Sequence, residues 1–256
     1  LVSDKKEREK RREQRLQEES RVQQGDRRTR LLQFSAGAIF LVIAVVVVLI
    51  VVSSSSDSGG DAQSLEGVGS VDRLLAGIPQ EGLVLGDPGA KVELVEFGDL
   101  QCPVCKAYSE EVLPQVIEGP VREGKVKIAF RNFTIIGPQS ETAGAAALAA
   151  GAQRRGWQYL ELFYRNQGRE DSGYADDEFL TAIARGAGVE DVARWNRERK
   201  ASKFTGKVSA TTAEAGRLGL TGTPTFAIEG PGTKGLEVLG TPGSAGELES
   251  AIESAG

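Results

Sequence analysis

The 256-residue chain contains no histidine and no methionine, and its only two cysteines stand three positions apart, at Cys102 and Cys105. Without histidine, a four-ligand zinc site would need carboxylates or a second subunit to complete it. The missing methionine suggests a non-standard start codon or a trimmed end. With no third cysteine, any redox cycling of the pair requires a partner that reoxidises or rereduces it. Charge is also missing from one long run, Leu31 to Val52, where about twenty apolar residues are enough to cross the hydrocarbon of a bilayer. Residues 31–52 are therefore expected to form a transmembrane helix. The long charged lead-in, the length of the run and the poor cleavage site after it favour an uncleaved anchor over a signal peptide.

Lys and Arg crowd the N-terminal flank of this run, and none follows it until Arg73. The positive-inside rule then leaves residues 1–30 as a charged cytoplasmic tail and places the catalytic domain outside the cell membrane, a single-pass arrangement. The tail is too poor in apolar residues to bury a core. Residues 53–70, with Ser53 to Ser64 almost entirely small and polar, read as a flexible linker. Acidic residues outnumber basic ones, 36 to 31, and the excess grows once the tail is set aside, which argues against nucleic acid as a partner. The Gly-rich phrases at Gly230 to Gly232 and Gly240 to Gly243 punctuate turns and carry no phosphate-binding pattern, and no cofactor motif occurs.

Residues 71–256 exceed what one core requires. Val71 to Gly89 reads as an arm with one short strand at Leu83 to Leu85. Val92 to Phe97 alternates as a strand, and a helix from Pro103 to about Glu118 follows, kinked at Pro114. Val126 to Arg131 makes the next strand. Five helical patterns then fill residues 138–218, before strands at Pro224 to Glu229 and Leu236 to Leu239 and a closing helix at Ala245 to Ser254. Two strand-bearing halves thus flank a helical insertion. Trp157, Tyr159, Phe163 and Tyr164 at helical spacing read as core or, less readily, as the lining of a peptide groove.

The cysteines sit where the first strand gives way to its helix, in Glu96-Phe97-Gly98-Asp99-Leu100-Gln101-Cys102-Pro103-Val104-Cys105. Pro103 suits the first helical turn, so Cys102 meets unpaired backbone N–H groups and the positive end of the helix dipole. Such a position favours the thiolate, which is the reacting form. Cys105 returns to the same face and can close a small ring with it. A structural staple over so short a gap restrains little. Two inert buried cysteines remain the plainer alternative.

This run, together with Arg131-Asn132-Phe133-Thr134-Ile135-Ile136-Gly137 and Thr221-Gly222-Thr223-Pro224-Thr225-Phe226, resembles the DsbA-like branch of the thioredoxin superfamily, in particular its membrane-tethered bacterial members. The resemblance covers about Ile78 to the C-terminus. It implies an α/β thioredoxin-like fold with an inserted helical domain, preceded by the single transmembrane helix, and thiol-disulfide exchange with exported cysteine-containing proteins. It makes Cys102 the exposed nucleophile, Cys105 the buried resolving thiol and Pro224 a cis-proline, with Pro103, Val104 and Thr223 beside the substrate. A cis bond there would turn a backbone edge toward the sulfur, ready to pair with an extended chain. Glu96 matches a buried acid that relays the Cys105 proton; the competing reading makes Glu96 or Asp99 an exposed strand-end charge.

Val104 stands where the best-known members have histidine, and a neutral side chain there implies a less acidic Cys102 and a less oxidising disulfide. Oxidation of exported proteins, recycled by a membrane redox partner, is the expected direction. Reduction or isomerisation, or a non-catalytic tethered peptide-binding module, are the alternatives.

Overall fold

A computed structural model describes residues 65–256. The tail expected over residues 1–30, the membrane span over 31–52 and the linker from 53 to 64 lie outside the described residues. Among those described, no helix is long and apolar enough to cross a membrane.

The expected linker ends sooner than residue 70, because Val68–Leu75 is already helix (α1). Val71, Leu74 and Leu75 are buried, an i, i+3, i+4 stripe at the start of the segment expected to be an arm. The short strand expected at Leu83 to Leu85 is one side of a hairpin, Gln80–Glu81 (β1) and Val84–Leu85 (β2), turning at Gly82, whose φ is 60°. Glycine adopts that backbone without steric cost.

Val92–Gly98 (β3) leads into Pro103–Glu111 (α2), Leu113–Val116 (α3) and a wider π-type turn at Ile117–Val121. The single kinked helix expected here is thus three pieces. Pro114 and Pro120 have no N–H to continue the hydrogen-bond ladder, so the chain breaks ahead of each. Val126–Asn132 (β4) then pairs in parallel with β3.

The insertion is Pro138–Gly151 (α4), Gly156–Arg165 (α5), Asp177–Gly186 (α6), Val192–Glu198 (α7) and Ser202–Arg217 (α8). Six buried alanines let α4 pack closely on several neighbours. Trp157, Tyr159, Phe163 and Tyr164 are all buried, so they belong to the core and line no groove. Thr225–Glu229 (β5), Glu237–Gly240 (β6) and Ala245–Ala255 (α9) finish the chain.

The sheet runs β1-β2-β4-β3-β5-β6, with β3 antiparallel to β5. Strand alternation sends Val95 and Phe97 to a small cluster with Phe133 and Ala215, and Val92 and Leu94 to the main core. Glu96 follows Val92 and Leu94 by the same two-residue step. An acid therefore occupies a core position, on the face where α2 and α5 pack together.

Candidate active site

Cys102 caps α2 in an extended backbone conformation with Pro103 as the first helical residue, and its carbonyl accepts the first helical bond from the Lys106 N–H at 3.1 Å. The turn before it is held from several directions. Asp99 is fully buried; one carboxylate oxygen accepts from the Gln101 N–H at 2.9 Å, and the other accepts from the N–H groups of Ile135 at 2.8 Å and Ile136 at 3.0 Å. The end of β3 is thereby tied to the loop after β4.

The helical insertion adds two more ties. The Gln167 amide donates to the carbonyls of Leu100 and Cys102, at 2.7 and 3.2 Å, and the buried Gln101 side chain bridges Ser140 and the Asp171 N–H. None of these anchors was singled out from sequence, because a glutamine carries no local signal that it will be buried.

The Cys102 thiol donates to the carbonyl oxygen of Thr223 at 3.4 Å, across 121 positions of sequence, and the Thr223–Pro224 bond is cis. Cys102 is only 5 % exposed, so the expected exposed nucleophile is instead recessed, with the Thr223 carbonyl against its sulfur. Pro103 and Val104 form the outward rim, Val104 at 51 % exposure. Thr223 is half-buried, and its hydroxyl has no partner.

The two sulfurs are unlike. The Cys102 thiol is drawn down to about 6, first by a hydrogen bond from the Cys105 thiol, which outweighs the opposing effect of burial. The backbone N–H groups of Cys105 and Val104 assist. Val104 thus contributes through its backbone, which any residue would supply, while its side chain faces outward. Cys105 is fully buried and pushed far above the ordinary thiol range, chiefly by burial.

Beneath the pair, Glu96 is 1 % exposed, with one carboxyl oxygen lacking any partner. Burial, then the charges of Glu161 and Cys102, push it up to about 8. Both Glu96 and Asp99 are buried, which removes the reading of either as an exposed strand-end charge. Glu161 on α5 is a second buried acid, at 1 % exposure, and accepts from the Ser109 hydroxyl at 3.1 Å. Its only sequence signal is position, a lone acid between Leu160 and Leu162 in an otherwise apolar turn. Among the described residues, no three metal-ligating side chains converge. A cleft of about 790 Å³ lined by Leu75, Ile78, Gln80, Lys127 and Arg155 includes neither cysteine.

A thiol of low pKa recessed just behind the Pro103–Val104 rim, beside a fully buried thiol of high pKa, is an arrangement suited to disulfide exchange. Comparison with known proteins agrees. Residues 79–253 match the thioredoxin family. The probable disulfide bond formation protein D of Bacillus cereus is 30% identical over 149 residues, spanning 57% of this chain and 69% of its own. The fold is shared with oxidised BdbD from Bacillus subtilis, at a TM-score of 0.60 and 22% identity over 68% of this chain and 92% of that one. It is shared as well with a thioredoxin-like oxidoreductase from Silicibacter pomeroyi, at 0.55 and 27% over 72% and 96%.

Proposed function

We propose, for a chain that belongs to the thioredoxin family and is a DsbA-like thiol-disulfide oxidoreductase, that it works tethered to the cell membrane and oxidises cysteines of exported proteins. The lowered Cys102 thiol carries this reading. A thiolate stabilised in the reduced protein makes the disulfide a stronger oxidant and makes Cys102 a good leaving group. Support for the location comes from the uncharged run over residues 31–52 and from the basic flank on its N-terminal side.

In the proposed cycle, a substrate thiolate attacks the Cys102 sulfur of the Cys102–Cys105 disulfide. The S–S bond breaks, and the Cys105 sulfur leaves with the electron pair and takes a proton from Glu96. A second substrate thiolate then attacks the substrate sulfur of the mixed disulfide, and Cys102 departs as a thiolate. The substrate is oxidised, the pair is reduced, and two electrons pass on to a membrane redox partner. Pro103, Val104 and the Thr223–Pro224 edge are the surfaces on which an extended substrate would lie.

Val104 in place of a polar or charged neighbour favours the opposite direction, reduction or isomerisation, through a less oxidising pair. Equilibration of the full chain with glutathione buffers separates the two. A pair more oxidising than glutathione is expected; a pair that stays oxidised under reducing glutathione ratios would reassign the protein as a reductase. Cys105→Ser is expected to accumulate mixed disulfides through Cys102, and retention of clients after both cysteines are replaced would point to a peptide-binding module instead.

A further inference from the structure

Glu161 is a buried acid with no part in the cycle above. It sits on α5, in the insertion, while Glu96 sits on β3, in the sheet, and α2, capped by Cys102 and carrying Cys105, lies against α5. Ser109, the donor to Glu161, is four residues beyond Cys105, on the same face of α2 and one helical turn away. The free carboxyl oxygen of Glu96 is enclosed nearby, and so is the Tyr108 hydroxyl, likewise without a partner. Two buried carboxyl groups thus lie close enough for the charge of Glu161 to raise Glu96. Like charges in such a place cannot both form freely.

We propose that Glu161 is a positioning residue for the exchange reaction: its carboxylate, held by Ser109 one turn from Cys105, governs when Glu96 gives up the proton that it trades with the Cys105 sulfur. This rests on the roles assigned above to Glu96 and Cys105. The insertion then does more than cover the site, since it supplies the charge that times the proton.

The groups facing the pair set the direction. Glu161 is itself pushed up to about 7, by burial first, against the Ser109 hydrogen bond and the positive charge of Arg165, with Glu110 adding to the rise. Glu96 feels Glu161 and Cys102, and its own charge reaches Cys105, Tyr108 and Tyr164. Removing the Glu161 charge therefore lets Glu96 ionise at lower pH.

Stopped-flow mixing of the reduced full chain with glutathione disulfide reads this in two phases. In the first, the Cys102 thiolate attacks the disulfide and releases one glutathione thiolate. In the second, Cys105 gives its proton to the Glu96 carboxylate and attacks the Cys102 sulfur, and the other glutathione leaves as thiolate with the electron pair. The second phase is expected to rise with pH in the wild type, with a midpoint somewhat below about 8, because Cys102 carries no charge in the mixed disulfide. Glu161→Gln, which keeps the acceptor for Ser109, is expected to move that midpoint down by about one pH unit while the first phase stays where it was. Ser109→Ala, which loosens the hold on the Glu161 charge, is expected to move it the same way by less.

A second-phase midpoint unmoved in folded Glu161→Gln and in Ser109→Ala overturns the assignment of Glu161 alone. A wild-type second phase that ignores pH overturns the Glu96 role as well, and this assignment with it.

Discussion

Cys102 and Cys105 are the same side chain three residues apart, yet one thiol is drawn down to about 6 and the other pushed far up. Hydrogen bonds converge on the first, and burial isolates the second. Alkylation of the reduced protein with iodoacetamide is therefore expected to titrate near pH 6 at Cys102 and to leave Cys105 untouched until the chain unfolds; equal labelling of both would contradict the asymmetry.

Glu96 makes a separate prediction about stability. Its proton is retained in the fold up to about pH 8, whereas the unfolded chain releases it near 4.5. Its contribution is intact below the lower value and is lost as pH rises through the window between them. This amounts to roughly 3 kcal/mol by pH 7. Urea unfolding at several pH values should show Glu96→Gln gaining on the wild type as pH rises from 5 to 8, and a constant difference would exclude a neutral Glu96. The presence of an acid at position 96 was legible in the sequence. Its burial was implied only by the family resemblance, because an acid at alternating spacing reads equally well as a solvent-facing strand position.

At the level of elements, local pattern served well wherever an element stood on its own periodicity. β3, β4 and the five insertion helices fall within a few residues of where spacing put them, and the strand-to-helix turn lies at the cysteines. The miss was α1, eight residues with glycines nearby, whose apolar stripe is short enough to pass for an arm. Nor does local pattern reveal what joins elements. Asp99 links β3 to the loop after β4 through two backbone N–H groups, so Asp99→Asn would turn one accepting oxygen into a donor facing donors. A loss of about 1–3 kcal/mol is expected, with faster hydrogen exchange at Ile135 and Ile136. Unchanged exchange there would mean that the loop is held by other contacts.

For the whole molecule, the proposed anchor rests on the uncharged run at residues 31–52, since no helix among the described residues could replace it. The full chain is expected to stay in the membrane pellet after alkaline carbonate washing. On intact cells, after mild reduction, a membrane-impermeant maleimide is expected to label Cys102. Release by carbonate would remove the tether from the proposal, and protection from the reagent would reverse the topology.

The amino-acid order was sufficient for the chemistry and for most elements, because a sulfur pair at three-residue spacing, a proline at a helix start and alternating apolar residues are signals read within a few positions. It was also sufficient for the family, through motifs that lie far apart. The recess of Cys102 against the Thr223 carbonyl, the full burial of Cys105 and the coupling of Glu96 to Glu161 belong to the folded molecule alone. Burial and charge coupling depend on what packs over a residue, and here those neighbours come from 52 to 121 positions away.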